Sequence, residues 1–339
     1  MEAAMLKTAA AFKEINPDIL MGMYWRTDFN LELGACSSGA AEWLAHPEWQ
    51  LRDDQGNIVL EHGSGAMFDY SNAGFRKFFT KVLLKVMNNT LPSGKVTLNY
   101  LYLDGPNSDP KEFAPGINPE RSAVLSAGKM SFFANLQREL DALGSNQIIL
   151  LNGVDDLETA AGFQPTGAGG VMVDHFTILQ FLNHDTGEFL VGPMNELFNL
   201  IRSETLGNMT QFIKGWPGPI IDQRDIYPPT VPQPVTRADF KQGATDRFNS
   251  ELAFFLLVAE DHMYWQYSWF WGFDDWVPNQ PDSSVPDNFF PQTKCQLGEP
   301  KGALVTNDNI TFTREFQYAS VWVNLNNRTE SKVTFNGKC

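Results

Sequence analysis

Val96-Thr97-Leu98-Asn99-Tyr100-Leu101-Tyr102-Leu103-Asp104-Gly105-Pro106 is the stretch whose reading decides the fold. It is β-branched and aromatic with a dense apolar core, it ends on a carboxylate, and Gly-Pro stops it. This is the grammar of a buried strand that delivers a polar side chain at its C-terminal end. The same grammar recurs outward from it, at 18–25, 66–69, 147–152, 170–174, 210–216 and 262–267. Helical patterns stand between these runs, at 4–15, 72–85, 122–143, 194–206 and 238–259. Strands alternating with amphipathic helices predict parallel βα units and an α/β fold, here a (β/α)8 TIM barrel. Seven strand candidates are one short of a closed barrel, and the first helix has no strand before it, so the barrel is expected to be incomplete at its N-terminus. The tail changes character: 302–305, 311–316, 319–324 and 332–335 alternate like antiparallel strands. The expected division is a barrel over 1–278 and a small C-terminal antiparallel β-appendage over 279–339, packed on it.

Composition narrows the function classes. The chain has 339 residues, 43% of them hydrophobic, enough for a large core. A formal charge of −15 with no offsetting Lys/Arg cluster argues against nucleic acid as a partner. No apolar run reaches membrane-spanning length, so no membrane partner is expected. Met1-Glu2-Ala3-Ala4 carries no basic segment leading into an apolar one, so no signal peptide is visible. Four N-x-[ST] sequons, at Asn88, Asn208, Asn309 and Asn327, nonetheless lean toward a secreted, extracellular protein. Cys36, Cys295 and Cys339 allow at most one internal disulfide; a Cys295–Cys339 pair would staple the C-terminal region and leave Cys36 over.

Ligands of such barrels bind where the strands end. The polar and aromatic groups at those ends are Tyr24, Trp25, Arg26 and Asp28, then Asp69, Asp104, Asn152, Asp174 with His175, Trp216, and Gln266 with Tyr267. Any single strand-end Asp is more often a turn or helix cap, and Asp69, in Asp69-Tyr70-Ser71-Asn72, reads best that way. Two apolar strands that each finish on Asp, at Asp104 and Asp174, are a different matter. Glycosidic hydrolysis needs two carboxyl groups flanking one bond, one as proton donor and one as nucleophile or base. Trp25 and Trp216 are candidate platforms for the apolar faces of sugar rings, although core filling is the commoner role for such rings. The five histidines lack metal-ligand spacing, no G-x-S-x-G elbow is present, and no glycine run has a phosphate-loop or dinucleotide pattern, so neither a metal nor a cofactor is expected.

Several short motifs carry a resemblance across nearly the whole chain. They are Tyr24-Trp25, Trp49 with Arg52, Asp53 and Gly56, Phe68-Asp69-Tyr70-Ser71-Asn72 with Arg76, Tyr102-Leu103-Asp104-Gly105, and Val171-Met172-Val173-Asp174-His175-Phe176. Leu297-Gly298 with Pro300, Thr313-Arg314-Glu315-Phe316 and Val321-Trp322-Val323-Asn324 complete the set. Together they resemble the loosely characterised glycoside-hydrolase-like barrels. More distantly, they are similar to the α-galactosidase and α-glucosidase superfamily and to endo-polygalactosaminidases. That resemblance implies a retaining hydrolase of α-linked glycans, with Asp104 as nucleophile and Asp174 as general acid/base. Related barrels often hold Glu where this chain has Asp174. The competing expectation is a non-catalytic carbohydrate-binding barrel that keeps the aromatic platforms and tolerates loss of either carboxylate. Both take an oligo- or polysaccharide as partner.

Overall fold

The computed structural model describes residues 2–29, 38–61, 65–106, 116–154, 156–176, 191–207, 209–215, 237–267, 290–337 and 339, with backbone alone at 61, 174–176, 193, 237–244 and 328. The chain is mixed α/β and divides into two compact units, Met1–Met172 and Val173–Cys339.

The first unit opens with helix α1 (Glu2–Ile15) and strand β1 (Gly22–Arg26). Then come the short helix α2 (Ala40–Leu44), the hairpin strands β2 (Leu60–Glu61) and β3 (Gly65–Ala66), and helix α3 (Ala73–Met87). Strand β4 (Tyr100–Asp104), helix α4 (Pro119–Ala142), strand β5 (Ile148–Asn152) and helix α5 (Leu157–Phe163) lead to β6 (Gly170–Phe176), within which the division falls. The helices start where their caps dictate. Asn72 accepts from the backbone N–H groups of Gly74 and Phe75, and Asn118 from that of Arg121 ahead of Pro119. Phe75, Phe79 and Leu83 on α3 and Phe132, Leu136 and Leu140 on α4 are buried, with the Phe79 and Phe132 rings stacked 5.1 Å apart. These apolar stripes cover one face of the strands and leave the other to the alternate residues.

The second unit contains α6 (Val191–Ile201), β7 (Thr210–Gly215), α7 (Arg237–Val258) and β8 (Met263–Tyr267). After them come β9 (Val305–Thr306), β10 (Thr311–Glu315), β11 (Ala319–Asn324) and β12 (Lys332–Phe335), an antiparallel sheet ordered β12-β11-β10-β9. Arg314 on β10 joins that sheet to α7: its guanidinium donates to the carbonyls of Leu256, Leu257 and Ala259 and to the Glu260 carboxylate. Those carbonyls are the ones a helix leaves without intrahelical donors at its C-terminus. A disulfide joins Cys295 to Cys339.

The larger sheet has six strands in the order β1-β4-β5-β6-β7-β8, parallel at β1–β4, β4–β5, β5–β6 and β7–β8. Among the described residues it does not close, and β1 and β8 form its edges. The expected strand at 66–69 is not a member. Gly65–Ala66 pairs antiparallel with β2, while Met67 and Phe68 bridge to Phe29 and Gln50. This segment fills an aromatic cluster with Trp43 and Phe75 instead of extending the parallel sheet. The expected barrel–appendage boundary at 278/279 lies outside the described residues. So do Cys36, Asn208 and Trp216.

Candidate functional site

Strand register assembles the site. Arg26 on β1 is the register partner of Asp104 on β4, and Leu103 that of Leu151, which brings Asn152 level with Asp104 on β5. With the two-residue period of a strand, Tyr24, Arg26, Tyr102, Asp104 and Asn152 share one face at the C-terminal ends of three neighbouring strands. The Tyr24 and Tyr102 rings lie 5.6 Å apart beneath the carboxylate.

Asp104 is held by four side-chain and backbone donors. Its Oδ2 accepts from the Tyr24 hydroxyl at 2.7 Å and lies 3.3 Å from Nη1 of Arg26. Its Oδ1 accepts from Nδ2 of Asn152 at 2.7 Å and from the Gly105 N–H at 3.0 Å. Its carbonyl in turn accepts from the N–H and the hydroxyl of Thr27, at 2.8 and 2.7 Å. The carboxylate still has 20% of its surface open, so it is oriented without being sealed.

Arg26 is gripped from its other side by Asp28, Nε to Oδ1 at 2.9 Å and Nη2 to Oδ2 at 2.6 Å, in the two-point geometry that fixes a guanidinium plane. Burial alone would lower its pKa; the bonds and charge of Asp28, then Asp104 and Tyr24, outweigh that and hold it above its ordinary value. The guanidinium also lies over the Phe29 ring. At 2% exposure Asp28 cannot be the substrate contact expected of it; it positions Arg26.

Gly105 is required by this packing. Its φ is +68°, and a Cβ there would sit 2.4 Å from Oδ2 of Asp28. Its carbonyl accepts from Nζ of Lys129 at 2.6 Å. Lys129, buried on α4, and Thr27 are the residues that sequence reasoning missed. The signal for Lys129 was present: it falls on the apolar stripe of Leu125, Phe132 and Leu136, where a charge calls for a reason.

Asn152 carries the most informative detail. Because its Nδ2 faces a carboxylate, its amide orientation is fixed, and Oδ1 is left buried without a hydrogen-bond partner among the described residues. The residue is 8% exposed, and an unmet acceptor in that setting is costly unless a ligand donor or water meets it.

Other expected site residues fall elsewhere. Trp25 is 1% exposed and packs on Phe79, because its parity is opposite to that of Tyr24 and Arg26; it is a core residue and not a sugar platform. Asp69 accepts from the N–H and hydroxyl of Ser71 in the turn before α3, whose cap is Asn72. In the second unit Tyr267 is buried against Phe248 and Phe290, whereas Gln266 is exposed. Asp174 and His175 stand on β6, two and three residues past Met172, the register partner of Asn152; their side chains are outside the described residues.

No known protein family and no curated protein matches the chain. Solved structures that it resembles in chain path include glycoside hydrolases. One is a maltogenic α-amylase, AmyB, from Thermotoga neapolitana, 13% identical over 96% of this chain and 68% of that one, with a TM-score of 0.47. An α-amylase from Anoxybacillus is 9% identical over 94% and 68%, at 0.48. The α-amylase of Geobacillus thermoleovorans is 9% identical over 94% and 68%, at 0.46.

Proposed function

We propose that the chain is a glycoside hydrolase acting on an α-linked glycan, with Asp104 as nucleophile and Asp174 as general acid/base in a retaining mechanism on an incomplete (β/α)8 barrel. One observation carries the reading. An oriented, partly open carboxylate stands beside a buried amide oxygen that lacks a donor, at the C-terminal ends of parallel strands. A sugar supplies what is missing: an anomeric carbon for Asp104 to attack and a neighbouring hydroxyl to donate to Asn152. Tyr24, Asn152 and the Gly105 N–H fix the direction of the attacking oxygen, and Arg26 balances charge as the glycosyl–enzyme bond forms and breaks. In the first step Asp104 bonds to the anomeric carbon while Asp174 protonates the departing glycosidic oxygen. In the second, Asp174 takes a proton from water, which displaces Asp104 and restores the anomeric configuration. Retention by this route calls for about 5–5.5 Å between the two carboxyl groups, against about 6.5–9.5 Å for inversion.

The same reading places the chain in an oxidising, extracellular compartment. The Cys295–Cys339 disulfide supports this, as do the exposed sequon residues Asn88, Asn309 and Asn327. Among the described residues no helix is long and apolar enough to cross a membrane.

The deciding experiment is product analysis by NMR on a panel of α-linked oligosaccharides. Wild type should release product of retained anomeric configuration, and Asp104→Asn should form none. Glycan binding with no hydrolysis by wild type, unaffected by Asp104→Asn with Asp174→Asn, would instead establish the binding-barrel alternative.

A further inference from the structure

At the N-terminal ends of β1, β4 and β5, opposite the site just described, lies a cavity of about 610 Å³. Lys13, Asp18, Lys95, Asn99 and Ser145 contribute to its wall. Lys13 lies one turn from Ala9 on the buried side of α1 and is only 5% exposed. Its ammonium has three hydrogens to donate, and among the described residues it makes one bond, to Oδ1 of Asn99 at 2.7 Å. That oxygen already accepts from the Met21 N–H. No ion pair joins Lys13 or Lys95 to a carboxylate among the described residues.

A largely covered ammonium with unused donors and no ion-paired carboxylate among the described residues is an unfavourable arrangement. Burial lowers the Lys13 pKa, the Lys95 charge lowers it further, and Asp18 opposes both. The chain as a whole carries −15, yet this cavity brings two cations against the single carboxylate of Asp18. An oxyanion against Lys13 would take up the idle hydrogens and supply the missing charge. The cavity is much larger than an inorganic anion. The remaining wall offers polar partners such as Ser145 and Asn88 beside the half-exposed apolar surface of Leu20 and Leu143. Those features suit a hydroxylated ring.

We propose that this cavity is a binding site for a small hydroxylated oxyanion, a sugar acid or a sugar phosphate, whose charged group is held by Lys13 and steered by Lys95. The proposal stands apart from the hydrolase reading, since none of its residues contributes to the Asp104 site.

The test is calorimetric titration of the full chain at constant ionic strength. The probes are glucuronate, glucose 6-phosphate, inorganic phosphate and neutral glucose. Because the sequon residue Asn88 lies on the wall, the protein is made without N-glycans. At least one sugar anion should bind roughly tenfold or more tightly than glucose, and the two anions separate the carboxylate form of the ligand from the phosphate form. Lys13→Met should weaken that binding about tenfold, and the more exposed Lys95→Met about threefold. Asp104→Asn should leave it unchanged. The proposal is overturned if no sugar anion binds, if glucose or inorganic phosphate binds as well, or if Asp104→Asn removes binding. It is equally overturned if affinity survives Lys95→Met and Lys13→Met. Should Lys13→Met fail to fold, Lys95→Met, which alters an exposed side chain, decides alone.

Discussion

Arg26 and Arg314 show two ways of burying a guanidinium, one beside a carboxylate that solvent reaches and one at the end of a helix. Arg26 is held by Asp28 on one side and faces Asp104 on the other, with 22% of its side chain open. Its partners are charged, and one of them is itself accessible. Arg314 is 3% exposed and meets three main-chain carbonyls at the end of α7; its one charged partner, Glu260, is half in solvent. Salt and water screen such a half-exposed pair, so the carbonyl bonds carry most of the stabilisation. The first arginine balances a carboxylate that a ligand can reach. The second terminates a helix and ties the antiparallel sheet to it.

If this division is right, changes at the two arginine sites should move different observables. The largest effect belongs to Asp104→Asn. Exchanging the proposed nucleophile for an amide of the same size should lower kcat roughly a thousand-fold or more; because every partner of the carboxylate is a donor, the new NH2 leaves at least one of them unmet, and stability should fall by about 1–2 kcal/mol. Near-wild-type turnover from this variant would remove Asp104 from the chemistry. Arg314→Met should behave in the opposite sense. Losing the donors to Leu256, Leu257 and Ala259 should cost about 3 kcal/mol of stability, read by denaturant unfolding, while kcat stays within about twofold. A large loss of turnover in folded Arg314→Met protein would show that the antiparallel sheet reaches into function.

Gly105→Ala tests whether the site's backbone is as constrained as its side chains. The left-handed φ and the approach to Asp28 together should cost about 2 kcal/mol. Because the displaced group is the one that holds Arg26, kcat/KM should fall about tenfold as well. A change confined to stability would separate Arg26 from the reaction and leave it a structural residue like Arg314.

The sequence made some of this legible and concealed the rest for physical reasons. Apolar, β-branched and aromatic runs set off by helical patterns located β1, β4, β5, β6, β7 and β8; the cores of β4 and β5 are buried as such runs require, whereas β8 is covered only in part. The same local pattern at 66–69 misled, since an alternating run does not disclose whether its partner is a parallel strand or a hairpin. Tyr24, Arg26, Asp104 and Asn152 were all candidates from their strand-end positions. Trp25 shares their strand-end position but not their parity. Two residues of one strand at adjacent positions cannot share a face, so choosing Tyr24 and Arg26 already excluded it. Lys129 hides within the apolar spacing of its helix, which does not say what the interrupting charge binds. Asp28 was identified as a carboxylate near the site, but its role in holding Arg26 depends on a two-residue turn that no pattern announces.

The smallest expected effect probes the support beneath the site. The Tyr70 hydroxyl donates to the Thr27 carbonyl at 2.6 Å, and Thr27 in turn donates to the Asp104 carbonyl through its N–H and hydroxyl. Tyr70→Phe removes the first bond of that chain and should cost about 1 kcal/mol. Burial, and secondarily the charge of Asp28, pushes the Tyr70 phenol well above its ordinary pKa. Above pH 10 the unfolded chain therefore loses this proton while the folded chain keeps it. The folded state then binds more protons, and stability falls as pH rises through that range. Tyr70→Phe should flatten this alkaline decline in denaturant midpoints measured from neutral pH upward. At neutral pH kcat should change little, because the remaining donors still orient the Asp104 carboxylate. An unchanged alkaline slope would mean that the phenol is not sealed off in solution. A steep loss of kcat would mean that the chain through Thr27 aligns the Asp104 carboxylate more tightly than its own four donors do.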